Sequence, residues 1–177
     1  GRTPRPDFRF ADLKGLRFAT VSEVPTPWIC LADDIRRAGT DPDSLPRIPD
    51  RTMEQNEAAL RAGELDAIHV FQPYAERLIA SGAGHLWYAA ASNGLTAYTT
   101  LVTRRDVLRQ REDELLKMAR AIHRTLGWFA KTPATEIAEK LRSYFPVVPT
   151  PICAGAIDRY RALGLWGSDP VIKREGY

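Results

Sequence analysis

Ser22, Glu23, Thr26 and Trp28 stand close together in the stretch SEVPTPW, and Gln72, Tyr74 and Asn93 offer similar chemistry further on. Hydroxyls, a carboxylate and amides supply hydrogen-bond donors and acceptors, while the indole and phenol rings supply flat faces for stacking. That mix suits the binding of a small polar or aromatic molecule. Glu23 also has the chemistry of a general base, although a lone loop carboxylate serves equally to hold a ligand's donor. Trp28 and Tyr74 read either as stacking faces or as packing beneath a sheet. No nucleophile–base pair accompanies them. His69 lies in the apolar run AIHVF, His85 opens HLWYAAA and His123 sits in a long helical stretch. None has a Cys, Asp or second His at the spacing of a metal site or a triad, so no catalytic and no metal-binding residue is assigned. Cys30 and Cys153 form no CxxC pair, which argues against zinc; Cys30 fits core packing, and a disulfide between the two stays open. GxSxG, Walker A and complete GxGxxG motifs are absent.

The elements that would position these side chains follow from periodicity. Leu16–Val21 is an apolar, β-branched run that reads as a buried strand. Ser22–Pro27 is a polar loop, and Trp28, Ile29, Leu31, Ala32 and Ile35 give one apolar face to a helix reaching about Ala38. Thr26 fits its N-cap and Pro27 its first turn, which leaves free N–H groups and a positive helix end at the loop. Gly39 stops the helix, and Asp41-Pro42-Asp43 makes a turn. Leu45–Ile48 reads as a strand near an edge because Pro46 and Pro49 interrupt it. Thr52 and Gln55 make a capping-box pattern for a helix that ends at Gly63. Ala67–Phe71 predicts a third strand, Gln72-Pro73-Tyr74 opens a helix through Ala80, and Ser81-Gly82-Ala83-Gly84 breaks it. His85–Ala91 and Thr96–Val102 predict a fourth and a fifth strand around the turn Ser92-Asn93-Gly94.

Strands alternating with helices predict an α/β fold, a mainly parallel doubly wound sheet with helices on both faces. Ligands of such sheets bind outside the carboxyl ends of the strands, where Ser22-Glu23, Gln72-Pro73-Tyr74 and Ser92-Asn93 fall. Beyond Arg104 the pattern turns helical, over Val107–Lys131, Ala134–Tyr144 and about Cys153–Leu163. The expected organisation is an entering segment at 1–11, an α/β ligand-binding lobe at 12–103 and a C-terminal helical region at 104–177.

The formal charge of +3 is spread over mixed-sign helices, as in Arg109–Glu114. Without a basic stripe interleaved with aromatics, nucleic acid is not an expected partner. No apolar run has the length of a membrane span, and GRTPRPDFRF lacks the core of a signal peptide, as the mature form of a secreted protein would.

FADLKGLRFATV at Phe10–Val21 resembles the DLKG-type strand that opens the second lobe of periplasmic substrate-binding proteins of ABC importers, in their sulfonate, nitrate and thiamine-precursor branch. AALRAGELDAIHVFQPYAERL at Ala58–Leu78, Ala121–Pro146 and Ile157–Tyr177 resemble later segments of that family in the same order. The resemblance implies a type II periplasmic-binding-protein-like lobe followed by helices of the other lobe, with a hinge that closes both around a small molecule. It implies a monomer that captures a sulfonate, a nitrate-like anion or a pyrimidine outside the cytoplasm, uses no cofactor and meets a membrane permease transiently. It also implies that most of the first lobe and the extreme C-terminus lie outside this sequence. The Ser22–Trp28 loop corresponds to the family's ligand-contacting second-lobe loop. Gln72 stands where the family often has Glu, which weakens any role there for a cationic ligand. Fungal pyrimidine synthases share the fold and resemble it with a cysteine-rich motif that this sequence lacks. An enzyme of that type would need a cofactor lysine, whereas Lys14, Lys117 and Lys131 fall away from strand ends. A ligand-sensing effector module is a further alternative, and Gly1–Ala11 is too short to be its signalling segment.

Overall fold

The computed structural model describes residues 1–94, 99–172 and 174. The chain divides into two compact units, Gly1–Ala90 and Ala91–Tyr177.

The first unit is built on β1 (Phe18–Val21), whose residues are all buried. Successive side chains of a strand point to opposite faces. Phe18 accordingly joins Leu13, Leu31, Ile35, Leu45 and Ala67 in one apolar cluster, while Ala19 joins Ala59, Leu60, Leu65 and Leu78 in another. The first cluster seats α1 (Thr26–Arg37). The second seats α2 (Met53–Arg61) and α3 (Tyr74–Ala80). β2 (Arg47–Arg51) and β3 (Ala67–Ile68) flank β1 in the order β2-β1-β3, and both pairings are parallel. The expected α/β fold, with a parallel sheet covered on both faces, is thereby observed.

Several boundaries move. α1 starts at Thr26 with Pro25 as its N-cap, so Thr26 caps nothing with its side chain. Pro25 already holds φ at −80°, near the helical value, and the helix begins one residue earlier than its polar residue suggested. Ile29 is 62% exposed, because Trp28, Leu31, Ala32 and Ile35 define the inward stripe and Ile29 falls outside it. β2 runs through Pro49 to Arg51, tolerable because among the described residues β2 is an edge strand, whose outer side needs no donor. Leu45 precedes it as a core residue.

β3 ends at Ile68, short of Phe71. β3 pairs with β1 through Ala67 and Ile68, and the His69 N–H on the Ala19 carbonyl closes that ladder. His85–Ala91 is not a strand: it runs irregularly into a 3-10 turn at Ala90–Asn93, since an extended run becomes a strand only by pairing. Thr96–Tyr98 of the expected fifth strand lies outside the described residues, and Thr99–Val102 is exposed without strand structure. Residues 1–11 do more than enter the fold, because Phe8 and Phe10 pack on the core beside Trp87 and Tyr88. Gly39 and Gly63 end α1 and α2 at φ +80° and +75°, the left-handed conformation that favours glycine at a helix stop.

In the second unit the expected helix over Val107–Lys131 is broken at Arg111, giving α4 (Arg105–Gln110) and α5 (Glu112–Lys131). α6 (Ala134–Leu141) follows Thr132-Pro133, and α7 (Thr150–Ala162) begins ahead of Cys153 with Pro151 in its first turn. Ala134, Ile137, Ala138, Ala154 and Ile157 form their core. Arg161 donates to the carbonyls of Phe129 and Thr132 and so fastens the α5–α6 corner to α7. Cys30 and Cys153 are free thiols, and both are half-buried.

Candidate functional site

Each strand of the first unit leads into a helix whose N-terminus returns to the carboxyl edge of the sheet. The order β2-β1-β3 sets the ends of β1 and β3 side by side at that edge, where open parallel sheets bind ligands. Two loops border it, one before α1 and one before α3.

The first loop is tied down by its own polar groups. The Ser22 backbone N–H donates to the Arg51 carbonyl at 3.1 Å, joining the ends of β1 and β2, and its side chain is exposed. Glu23 Oε1 accepts the Met53 backbone N–H at 2.8 Å, which places a carboxylate at the positive N-terminus of α2. That end is further satisfied by the predicted capping box: Thr52 Oγ1 accepts the Gln55 N–H at 3.2 Å, and Gln55 Oε1 accepts the Thr52 N–H at 2.9 Å. Thr26 is half-buried as the first residue of α1. Trp28 is half-buried against the core, and the Arg47 guanidinium lies over its ring, 4.2 Å from the centroid. Trp28 thus packs against the core, and the Arg47 guanidinium lies over its ring.

The second loop repeats this arrangement. Gln72 Oε1 accepts the Glu76 backbone N–H at 2.9 Å and so satisfies a free donor of α3. The Gln72–Pro73 peptide bond is cis. Tyr74 lies under the Arg77 guanidinium at 4.7 Å, and Arg77 pairs with the buried Glu57 carboxylate, which also takes the Arg61 Nη2 donor at 2.9 Å. Asn93 is exposed in the Ala90–Asn93 turn and belongs to the second unit. Ser22, Glu23, Thr26 and Trp28 thus come with one edge loop, and Gln72 and Tyr74 with the other.

Sequence reasoning missed Arg47, Asn56 and Glu57. Asn56 is fully buried and donates from Nδ2 to the Thr20 carbonyl at 3.1 Å, while its Oδ1 is buried without a partner among the described residues. An Asn and a Glu in the middle of an otherwise ordinary helix stripe were the available signals. His69 follows β3 with its N–H on the Ala19 carbonyl at 2.9 Å. Burial pushes its imidazole down to a pKa of about 4, against the opposing pull of the Asp34 carboxylate. Asp34 itself accepts the Tyr88 hydroxyl at 2.7 Å.

A cavity of about 130 Å³ runs beside β3, lined by Phe8, Phe10, Phe18, His69, Trp87 and Tyr88 among others. Its walls are mostly aromatic and aliphatic. The polar side chains of the two loops lie outside its lining, and they, not the cavity, make up the candidate site. Among the described residues no group of His, Cys, Asp or Glu side chains could hold a metal ion.

The NMT1-like family model matches residues 7–142. The chain belongs to the NMT1-like family. A protein of Bacillus subtilis (strain 168) named as a binding protein, YtlA, is 23% identical over 118 residues, covering 66% of this chain and 35% of that protein. Among solved structures, the alkanesulfonate-binding protein SsuA from Xanthomonas axonopodis pv. citri, bound to MOPS, superposes with a TM-score of 0.62 at 16% identity. That match covers 89% of this chain and 61% of the SsuA chain. This NMT1-like chain therefore spans about a third of one relative and three-fifths of the other. The shared fold is a type II periplasmic-binding-protein-like lobe with C-terminal helices, as the sequence resemblance implied.

Proposed function

We propose that this chain is the ligand-contacting part of a solute-binding component of an ABC-type importer. It works outside the cytoplasm as a monomer, captures a small polar or aromatic compound and meets a membrane permease transiently. The ligand class is a sulfonate, a nitrate-like anion or a thiamine-pathway pyrimidine. The observation that carries this reading is the state of the two edge loops. Glu23 and Gln72 each hold a helix N-terminal N–H, and Trp28 and Tyr74 each lie under a guanidinium. The two helix-end contacts are exchangeable, and a ligand at this edge substitutes its own hydrogen-bonding groups for them. Binding then requires differential affinity for the rearranged loops, which is how a ligand shifts a protein between states. Membership of the NMT1-like family and the fold shared with a sulfonate-binding protein support the same reading. Ser22, Glu23, Thr26, Trp28, Gln72 and Tyr74, all in the first unit, are proposed to contact the ligand.

A thermal-shift screen against sulfonates, nitrate, bicarbonate and thiamine-pathway pyrimidines tests the proposal. A compound that binds only the folded state adds about 2.7 kcal/mol of stability at a hundredfold excess over its dissociation constant, and so raises the melting temperature. A hit with one of these classes supports the assignment. Silence from the longest natural form of the protein across the whole panel contradicts it.

A further inference from the structure

We propose that Arg47 is the residue that recognises an anionic group on the ligand, with Trp28 and Thr20 as the residues that position it; this rests on the solute-binding reading above. Arg47 opens β2 opposite Phe18, and its side chain reaches Thr20, two residues further along β1. Its Nη1 donates to Thr20 Oγ1 at 3.1 Å, and its guanidinium lies 4.2 Å from the centroid of Trp28, which stands in the first turn of α1 beside the Ser22–Pro25 loop.

No carboxylate among the described residues forms an ion pair with Arg47. The other half-buried arginines of this unit, Arg5, Arg51 and Arg77, meet the carboxylates of Asp12, Glu64 and Glu57. Among the described residues Arg47 has no such partner: a neutral hydroxyl and a ring face are its recorded contacts. A half-buried cation without a counter-charge is unfavourable, and an arriving anion relieves it. Geometry adds selectivity. A guanidinium presents its N–H donors in a rigid planar fork, and Thr20 engages one nitrogen, which leaves the rest for paired oxygens of a sulfonate, carboxylate or phosphate. Trp28 then has a double use, as a platform that fixes the plane of the fork and as a ligand wall. Thr20, fully buried in β1, fixes the direction from which the fork points.

Isothermal titration calorimetry with pentanesulfonate and with a neutral aminopyrimidine, on the wild-type protein and on Arg47→Gln and Arg47→Lys, tests this. The expected result is sulfonate binding by the wild type, weakened about tenfold or more in Arg47→Gln and less in Arg47→Lys, which keeps the charge without the fork. Equal sulfonate affinity in the wild type and Arg47→Gln overturns the role of Arg47 and leaves the binding function standing. Binding of the aminopyrimidine alone does the same. Binding of neither probe, together with silence in the thermal-shift panel, overturns the binding function itself. Should Arg47→Gln not fold, the comparison of wild type with Arg47→Lys decides, since identical affinities there remove the case for fork recognition.

Discussion

Glu23 and Met53 meet across the carboxyl edge of the sheet: the Glu23 carboxylate accepts the Met53 backbone N–H at 2.8 Å. The contact joins the loop that follows the central strand to the start of a helix from a different βα unit. It satisfies one of the donors that a helix leaves free at its N-terminus and sets a negative charge against the positive end of the helix dipole. A group proposed to touch ligand is therefore also a structural cap.

Removing that carboxylate exposes the second role. Glu23→Ala is expected to lower stability by about 0.5–2 kcal/mol, the range of a lost N-terminal cap. Glu23→Gln keeps an acceptor and loses the charge, and should cost roughly 0.3–1 kcal/mol. Urea denaturation with both variants checks the order; equal losses would mean that the charge carries the whole effect.

Gln72→Ala acts in the same way on α3, because its amide oxygen holds the Glu76 N–H. Stability should fall by about 1 kcal/mol, while affinity for the ligand falls about tenfold if the amide also contacts it. Unchanged affinity measured by calorimetry removes Gln72 from the site and leaves it as a cap.

Trp28 and Arg47 depend on each other. Trp28→Ala removes core packing and should destabilise the lobe by roughly 3 kcal/mol, at the low end for truncating an aromatic because the ring is half-buried. Trp28→Phe retains a face for the guanidinium and should keep most of the stability. Melting temperatures of the two variants distinguish this from a purely exposed stacking ring, for which both substitutions would be nearly neutral.

Acid sensitivity follows from His69. Burial lowers its pKa to about 4 in the folded protein, from 6.5. The unfolded chain takes up a proton between these values that the folded one refuses, so stability is full above pH 6.5 and falls as the pH drops toward 4. The loss from this residue reaches roughly 3 kcal/mol and then levels off. Asp66 acts lower down the scale. The Arg17 guanidinium hydrogen-bonds its carboxylate and holds it well below the usual carboxylate range, so its contribution is present above pH 3.8 and lost below. His69→Phe should flatten the stability profile between pH 6.5 and 4 and preserve the later loss. A wild-type profile already flat in that window would contradict a neutral buried imidazole.

What the sequence made legible was local. The Thr52–Gln55 capping box, the stops at Gly39 and Gly63 and the alternation of strands with helices all depend on residues a few positions apart, and each appears in the structure. The edge position of β2 was readable from its prolines. Contacts made across the chain were not readable. Glu23 on Met53, Arg47 on Thr20 and Asn56 on Thr20 join residues 30, 27 and 36 positions apart. Strand pairing is also non-local, which is why HLWYAAA, with the composition of a strand, finds no ladder and stays irregular. The ring of Trp28 shows the limit well: periodicity put it on the inward stripe of α1, but nothing near it in sequence revealed the arginine on its face.

The most direct test of the account is a two-dimensional amide NMR titration of the protein with the compound that most raises its melting temperature. Shifts are expected at Ser22, Glu23, Gln72 and, through release of the Glu23 carboxylate, at Met53, with the amides of Leu86–Tyr88 beside the cavity unmoved. Shifts confined to Leu86–Tyr88 and His69, with the edge loops unchanged, would contradict this and move the ligand site from the carboxyl edge of the sheet to the cavity.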